Sequence, residues 1–212
     1  MKIAILGLGT VGSGVYEGAQ KLSGMEVRRI LDRHLRTKIS TCSIEDILGD
    51  PEIELIAETM GGLHPAYEYA RAALASGRHF VTANKQLVSA YGAELAELAR
   101  QSGAAFLYGA ACGGGIPYLY NLEMARKTDR VTALGGILNG TTNYILDAMT
   151  TRGADYDAVL REAQALGYAE RDPSSDVDGL DTMRKLVLAC AVGFGAFVRE
   201  EEIPVFGISR VL

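Results

Sequence analysis

The sequence predicts an α/β chain: a parallel sheet covered by helices on both faces, followed by an incomplete region of α+β character. Three observations predict it. Apolar runs at 3–6, 27–31, 53–58, 79–82 and 104–107 lack the polar alternation of a half-exposed strand, so both their faces are buried, as in a parallel sheet. Helical patterns at 12–22, 65–76 and 90–101 separate these runs, and Gly77 and Gly103 fall where helices stop. The texture then changes near Arg130. A strand candidate at 131–138 leads to helices at 141–149 and 156–166, the latter closed by Gly167. An acidic, turn-rich stretch at 170–179 precedes a long helix from 180 to about 197. The domains predicted are 1–129 and 130–212, with no internal repeat.

Composition narrows the function classes. With 48% hydrophobic and 22% charged residues the chain has ample material for a core. Its 21 basic against 26 acidic residues give a net charge of −5, which argues against nucleic-acid and membrane-surface roles, since both need a basic patch. The longest uncharged apolar stretch, 186–198, is shorter than the ~18 residues of a membrane span, and the N-terminal run at 3–6 is too short for a signal sequence. Cys42, Cys112 and Cys190 are scattered and odd in number, which suits a reducing compartment. The expectation is a soluble cytoplasmic protein. Glycine is in surplus, at 25 of 212 residues against the usual ~7%, and such a surplus belongs at tight turns and beside ligands.

Part of that surplus has an address in Gly7-Leu8-Gly9-Thr10-Val11-Gly12. This G-x-G-x-x-G follows a strand and opens a helix, the context of a dinucleotide-binding Rossmann fold. The first glycine permits the turn, the second admits a pyrophosphate to the backbone, and the third lets helix and strand pack closely. The helix N-terminus supplies N–H groups and a positive dipole to the phosphates. A glycine-rich turn without ligand is the plainer alternative. Asp32 ends the second strand about 20 residues later, where an acid favours NAD. Arg33, Arg36 and Lys38 follow, and their charge favours the 2′-phosphate of NADP, to which the balance leans.

Asp181 and Lys185 are four apart on a predicted helix, hence on one face. Such pairs are commonly exposed salt bridges. Here the helix beyond Lys185 is apolar all round and should be buried, which places the pair at its mouth and makes Lys185 a candidate for proton transfer. Glu170, Asp172, Asp176 and Asp178 crowd the preceding turn. One of them can cap the helix, and the others are available to an ammonium group. Lys85, after the strand at 79–82, sits at the carboxyl edge of the sheet, where ligands collect.

These residues fall within longer segments: Glu58-Thr59-Met60-Gly61-Gly62, Thr82-Ala83-Asn84-Lys85, Gly113-Gly114-Gly115-Ile116-Pro117, Asn139-Gly140-Thr141-Thr142-Asn143 and Leu166-Gly167-Tyr168-Ala169-Glu170-Arg171-Asp172-Pro173, continuing to Asp176, Asp181 and Lys185. With them the chain resembles homoserine dehydrogenase over essentially its whole length. The resemblance implies interconversion of L-aspartate 4-semialdehyde and L-homoserine with NADP or NAD, on the route to threonine and methionine. It implies Lys185 as proton donor, Lys85 as second candidate for the acid, and Glu170, Asp176 and Asp181 as substrate-binding carboxylates. The implied cofactor-binding set is Gly7, Gly9, Thr10, Val11, Gly12, Asp32, Arg33, Lys38, Thr82, Lys85 and Gly167.

Two departures accompany the resemblance. The family binds a structural sodium ion through a Glu and backbone carbonyls, here those of Cys112, Gly114 and Ile116, but Gly109 stands at the acid's position. The family also continues past position 212. The expectation is therefore a nucleotide domain plus part of a substrate and dimerisation domain, homodimeric when the remainder is present. The alternative is a catalytically weak nucleotide-binding or sensing chain.

Overall fold

The computed structural model describes residues 1–35 and 37–211; Arg36, one of the candidate phosphate-pairing cations, and Leu212 lie outside them. The chain forms two compact units, Met1–Tyr120 and the residues from Asn121 onward. The division falls inside a helix, Tyr118–Thr128 (α5), whereas the sequence places it at 129/130. That helix buries only Leu119, so it carries no apolar stripe by which periodicity would reveal it.

Among the described residues the first unit is built on six strands: β1 (Lys2–Leu6), β2 (Glu26–Leu31), β3 (Ser40–Thr41), β4 (Leu55–Glu58), β5 (His79–Thr82) and β6 (Phe106–Leu107). They pair in the order β3-β2-β1-β4-β5-β6, every pair parallel. The helices are α1 (Thr10–Lys21), α2 (Glu45–Leu48), α3 (Ala66–Ala75) and α4 (Lys85–Ser102). Alternate residues of β1 enter different cores. Ala4 and Leu6 pack with Ile56, Phe80 and Leu74, while Ile3 and Ile5 pack with Ala19 and Val27. The period of two thus explains why these strands read as unbroken apolar runs. Strand order reverses on either side of β1, which makes its carboxyl end the switch point of the sheet. Register brings Leu31, Leu6, Glu58 and Thr82 into one row across β2, β1, β4 and β5.

The second unit contains α6 (Gly140–Arg152), α7 (Tyr156–Ala165), α8 (Ser174–Val177) and α9 (Leu180–Phe194). Ile145, Ala148, Val159, Ala163 and Val177 form its core. The segment 131–138, expected as a strand, pairs with none among the described residues, and Ile137 is 76% exposed. Strand propensity alone does not make a strand, because its backbone groups need a paired neighbour. Among the described residues only the helical component of the expected α+β region is formed there. Helix α9 ends at Phe194, three residues before the expected 197, where Gly195 turns left-handed at φ 73°. It is not buried all round either: Leu186, Cys190 and Val192 are half-buried and Phe194 is exposed. Its apolar composition exceeds the surface that this unit covers.

Gly12 controls how α1 seats on β1. A Cβ built there would overlap the Gly7 carbonyl oxygen and lie 2.8 Å from Thr59 Oγ1. Backbone cannot yield as a flexible side chain can. Gly12→Ala is therefore expected to cost about 2–3 kcal/mol in chemical denaturation.

Candidate functional site

In the first unit, a cleft of about 500 Å³ opens at the carboxyl ends of β1, β2 and β4, lined by Gly7, Gly9, Asp32, Arg33, Thr59 and Gly61 among others. The three glycines of the loop have distinct surroundings. Gly7 turns at φ 87° against Met60, and Gly12 closes on Gly7. Gly9 has nothing within 4 Å of a Cβ placed on it. Protein packing does not require a glycine at position 9, whereas close approach of a ligand to the backbone would. Thr10 and Val11, the first two residues of α1, are exposed. These observations fit a dinucleotide pyrophosphate at the helix N-terminus.

Asp32 is engaged on both oxygens. Oδ1 accepts the backbone N–H groups of His34 at 2.8 Å and Leu35 at 3.0 Å, while Oδ2 accepts that of Leu8 at 3.1 Å. The His34 and Leu8 amides hold its carboxyl below the usual range, against the opposing effect of partial burial. Asp32 thereby ties the glycine loop to the end of β2. Arg33 lines the cleft and is exposed, as is Lys38.

At the ends of β4 and β5 stand groups that sequence patterns left unassigned. Glu58 is fully buried and Asn84 nearly so. Asn84 caps α4 by accepting Leu87 N–H at 3.1 Å, and Lys85 follows in the first turn. A cation is disfavoured by the dipole there, so capping does not account for Lys85. Thr82 is 1% exposed and its hydroxyl is engaged by Glu58 and Asn84. It is not among the residues that line the cleft. A capping motif at 84–87 was the available signal for Asn84; nothing in the sequence pattern marks Glu58 as a buried acid.

In the second unit, Asp176, Asp181 and Lys185 do converge. Lys185 Nζ lies 2.7 Å from Asp181 Oδ2 and donates to the Leu138 carbonyl at 2.6 Å. With side chains 17% and 6% exposed, this is not the solvated surface pair that i,i+4 spacing commonly gives. Asn139 joins the acids: its Nδ2 donates to Asp176 Oδ1 at 2.7 Å and to Asp181 Oδ2 at 2.8 Å, and its Oδ1 caps α6 by accepting Thr142 N–H. Asn139 is the second residue that periodicity missed, because its cap and its cross-links are separate functions of one amide. Glu170 is exposed, and Gly167 forms the turn after α7 at φ 80°. None of the four acids upstream of α9 caps it. Its N-cap is Gly179, and Asp172 instead accepts Ser174 N–H ahead of α8.

The turn at 109–116 offers little to a cation. Gly109 supplies no carboxylate, the Ile116 carbonyl already accepts Tyr118 N–H at 2.7 Å, and Cys112 is buried. A hard cation wants several oxygen ligands and charge compensation, and with Gly109 in the acid's place the candidate carbonyls of Cys112, Gly114 and Ile116 lack the carboxylate that the family's site uses. Among the described residues no group of three His, Cys, Asp or Glu side chains is placed to hold a metal, and no helix is long and apolar enough to cross a membrane.

Two substitutions probe the cleft. Gly9→Ala should leave stability within ~1 kcal/mol while weakening dinucleotide binding at least tenfold by titration. Asp32 has a lowered folded pKa, so its stabilisation is present above the ordinary carboxylate range and lost as pH falls through the folded value. The stability difference between the parent chain and Asp32→Asn, from denaturation at several pH values, should hold constant down to about pH 4 and vanish below it.

Family comparisons agree with this geometry. Residues 7–109 match the model "Homoserine dehydrogenase, NAD binding domain", and residues 117–212 match "Homoserine dehydrogenase". The homoserine dehydrogenase of Synechocystis is 45% identical over all of this chain and 52% of its own length. The crystal structure of the Thiobacillus denitrificans enzyme aligns at TM-score 0.91 and 38% identity, over 100% of this chain and 53% of that one. A structure from Archaeoglobus fulgidus, assigned to the same family, aligns at TM-score 0.85 and 30% identity, over 100% of this chain and 73% of that one. The chain spans about half the length of the curated relatives it matches. The glycine-loop cleft lies in the first matched segment and the carboxylate–lysine cluster in the second, and the chain belongs to the homoserine dehydrogenase family.

Proposed function

We propose that this chain carries NAD(P)-dependent interconversion of L-homoserine and L-aspartate 4-semialdehyde. The observation that carries this reading is the cluster of Lys185 with Asp181, Asn139 and Asp176. Hydride is the chemistry that a bound nicotinamide dinucleotide supplies. Everything else falls to side chains. Lys185 commits two donor directions, one to Asp181 and one to Leu138 O, which leaves a third N–H for the carbonyl oxygen of the substrate. Asp181 keeps that ammonium group in place, and Asn139 keeps Asp181 in place. Asp176 and the exposed Glu170 supply negative charge for the ammonium end of an amino-acid substrate. Lys85 is the second candidate for the acid.

The Asp32 carboxylate is already committed to three backbone donors, and Arg33 lines the same cleft. That division of labour supports NADP over NAD. All three cysteines are unpaired by disulfides, in keeping with a cytoplasmic biosynthetic enzyme. With the family's full dimerisation region it would act as a homodimer.

Nicotinamide fluorescence should show NADPH binding more tightly than NADH, and homoserine should drive NADP reduction at 340 nm. Lys185→Ala should lower that rate by at least ~100-fold while leaving the NADPH Kd within a factor of about two. Binding without any homoserine-dependent reduction would reduce the reading to a nucleotide-binding chain. A Lys185→Ala chain with undiminished rate would remove Lys185 from the chemistry.

A further inference from the structure

Glu58 is the fully buried carboxylate at the end of β4, and every group that the structure shows donating to it is neutral. Its Oε1 accepts Met60 N–H at 2.7 Å and Gly61 N–H at 3.1 Å, and its Oε2 accepts the Thr82 hydroxyl at 2.5 Å. The Thr82 oxygen accepts Asn84 N–H at 2.9 Å, and Asn84 Nδ2 donates to the Gly62 carbonyl at 2.6 Å. These bonds close a ring, running from Glu58 through Thr82, Asn84 and Gly62 and back along the chain to Glu58. Burying a carboxylate among neutral donors is costly in desolvation. An apolar side chain at this row of the sheet would serve packing without that cost.

The ring fixes something that packing alone would not. Gly61 and Gly62 are both left-handed, at φ 74° and 73°, and adjacent glycines have many conformations open to them. Two acceptor bonds from Glu58 and one donor bond from Asn84 select a single one. The selected turn abuts the glycine loop, since Met60 lies against Gly7 and Thr59 Oγ1 donates to the Gly7 carbonyl at 2.8 Å. Thr59, Met60 and Gly61 line the cleft. At the far side of the ring, Asn84 caps α4 and sets the helix start that carries Lys85.

Sheet order decides which part of the cofactor this turn meets. With the adenosine half at Asp32 just after β2 and the pyrophosphate at the loop after β1, a dinucleotide continuing across the switch point reaches the ends of β4 and β5 with its nicotinamide half. We propose that Glu58 is a positioning residue for that half, acting through the hydrogen-bonded ring that shapes the 60–62 turn and the start of α4. The proposal rests on the cofactor reading above and extends it to a residue that touches no ligand.

The test separates the two halves of the cofactor. NADPH carries both, whereas 2′-phospho-ADP-ribose carries only the adenosine half; NADH and ADP-ribose form the matching pair. Glu58→Gln keeps the side-chain volume but turns one acceptor into a donor facing Thr82. Thr82→Val removes the hydroxyl from the ring, and Thr82→Ser retains it. Glu58→Gln and Thr82→Val should each weaken binding of the reduced dinucleotide about tenfold while changing ADP-ribose-type binding less than about twofold, and Thr82→Ser should restore most of the loss. Equal losses for both ligands would overturn the proposal, because a residue that merely supports the fold harms both halves alike. Undiminished NADPH affinity in Thr82→Val would overturn it too, and does not depend on Glu58→Gln folding. If the unsubstituted chain binds neither ligand, the cofactor reading fails with it; the other overturning outcomes leave that reading standing.

Discussion

The close seating of α1 on the carboxyl end of β1 is the constraint on which the first unit depends. Gly12 has no room for a side chain because the Gly7 carbonyl occupies that space. Thr59, just past the end of β4, then bonds the same carbonyl, so the helix start, the loop and the switch point are fixed against one another. The arrangement starts α1 beside an open Gly9, with Thr10 and Val11 exposed. A helix N-terminus of this kind favours anions through its unpaired donors and its dipole. A phosphate-compatible helix start is therefore a by-product of how the first βα unit packs.

A similar economy operates in the second unit. One amide, that of Asn139, caps α6 and cross-links two carboxylates, one of which holds Lys185. Two like charges brought together repel unless donors lie between them. The Asn139 amide supplies both hydrogens for this purpose. Cap and cluster are thus mechanically one feature: the position of the acids is set by where α6 begins. In both units a polar side chain at the start of a helix organises the chemistry of its neighbours, Asn84 in one and Asn139 in the other.

Much of this was legible in the residues. The apolar runs at 3–6 and 79–82 located β1 and β5 because a strand buried on both faces needs no partner to announce its hydrophobicity. The glycine loop was legible because each glycine answers a local steric demand. Asp181 and Lys185 shared a face by helical period alone. The segment 131–138 has comparable apolar content and forms no strand among the described residues, since pairing depends on what lies beside it. Helix α5 was missed for the opposite reason, having no apolar face to show.

Sequence by itself determined the fold class, the nucleotide loop and the chemical identities of the acids and lysines, because each depends on periodicity or on conformational freedom within a few residues. Tertiary structure alone decided which of those acids have occupations. Asp32 holds the glycine loop, Asp172 stabilises the turn before α8, and Asp176 and Asp181 share Asn139 across 37 and 42 positions of chain. Glu58 shows the difference most clearly. In the sequence it is an acid after an apolar run; in the fold it is a buried acceptor that closes a ring with Thr82, 24 positions away. Hydrogen-bond partners are chosen by distance and direction in space, and neither is written in sequence spacing once the chain has crossed the sheet.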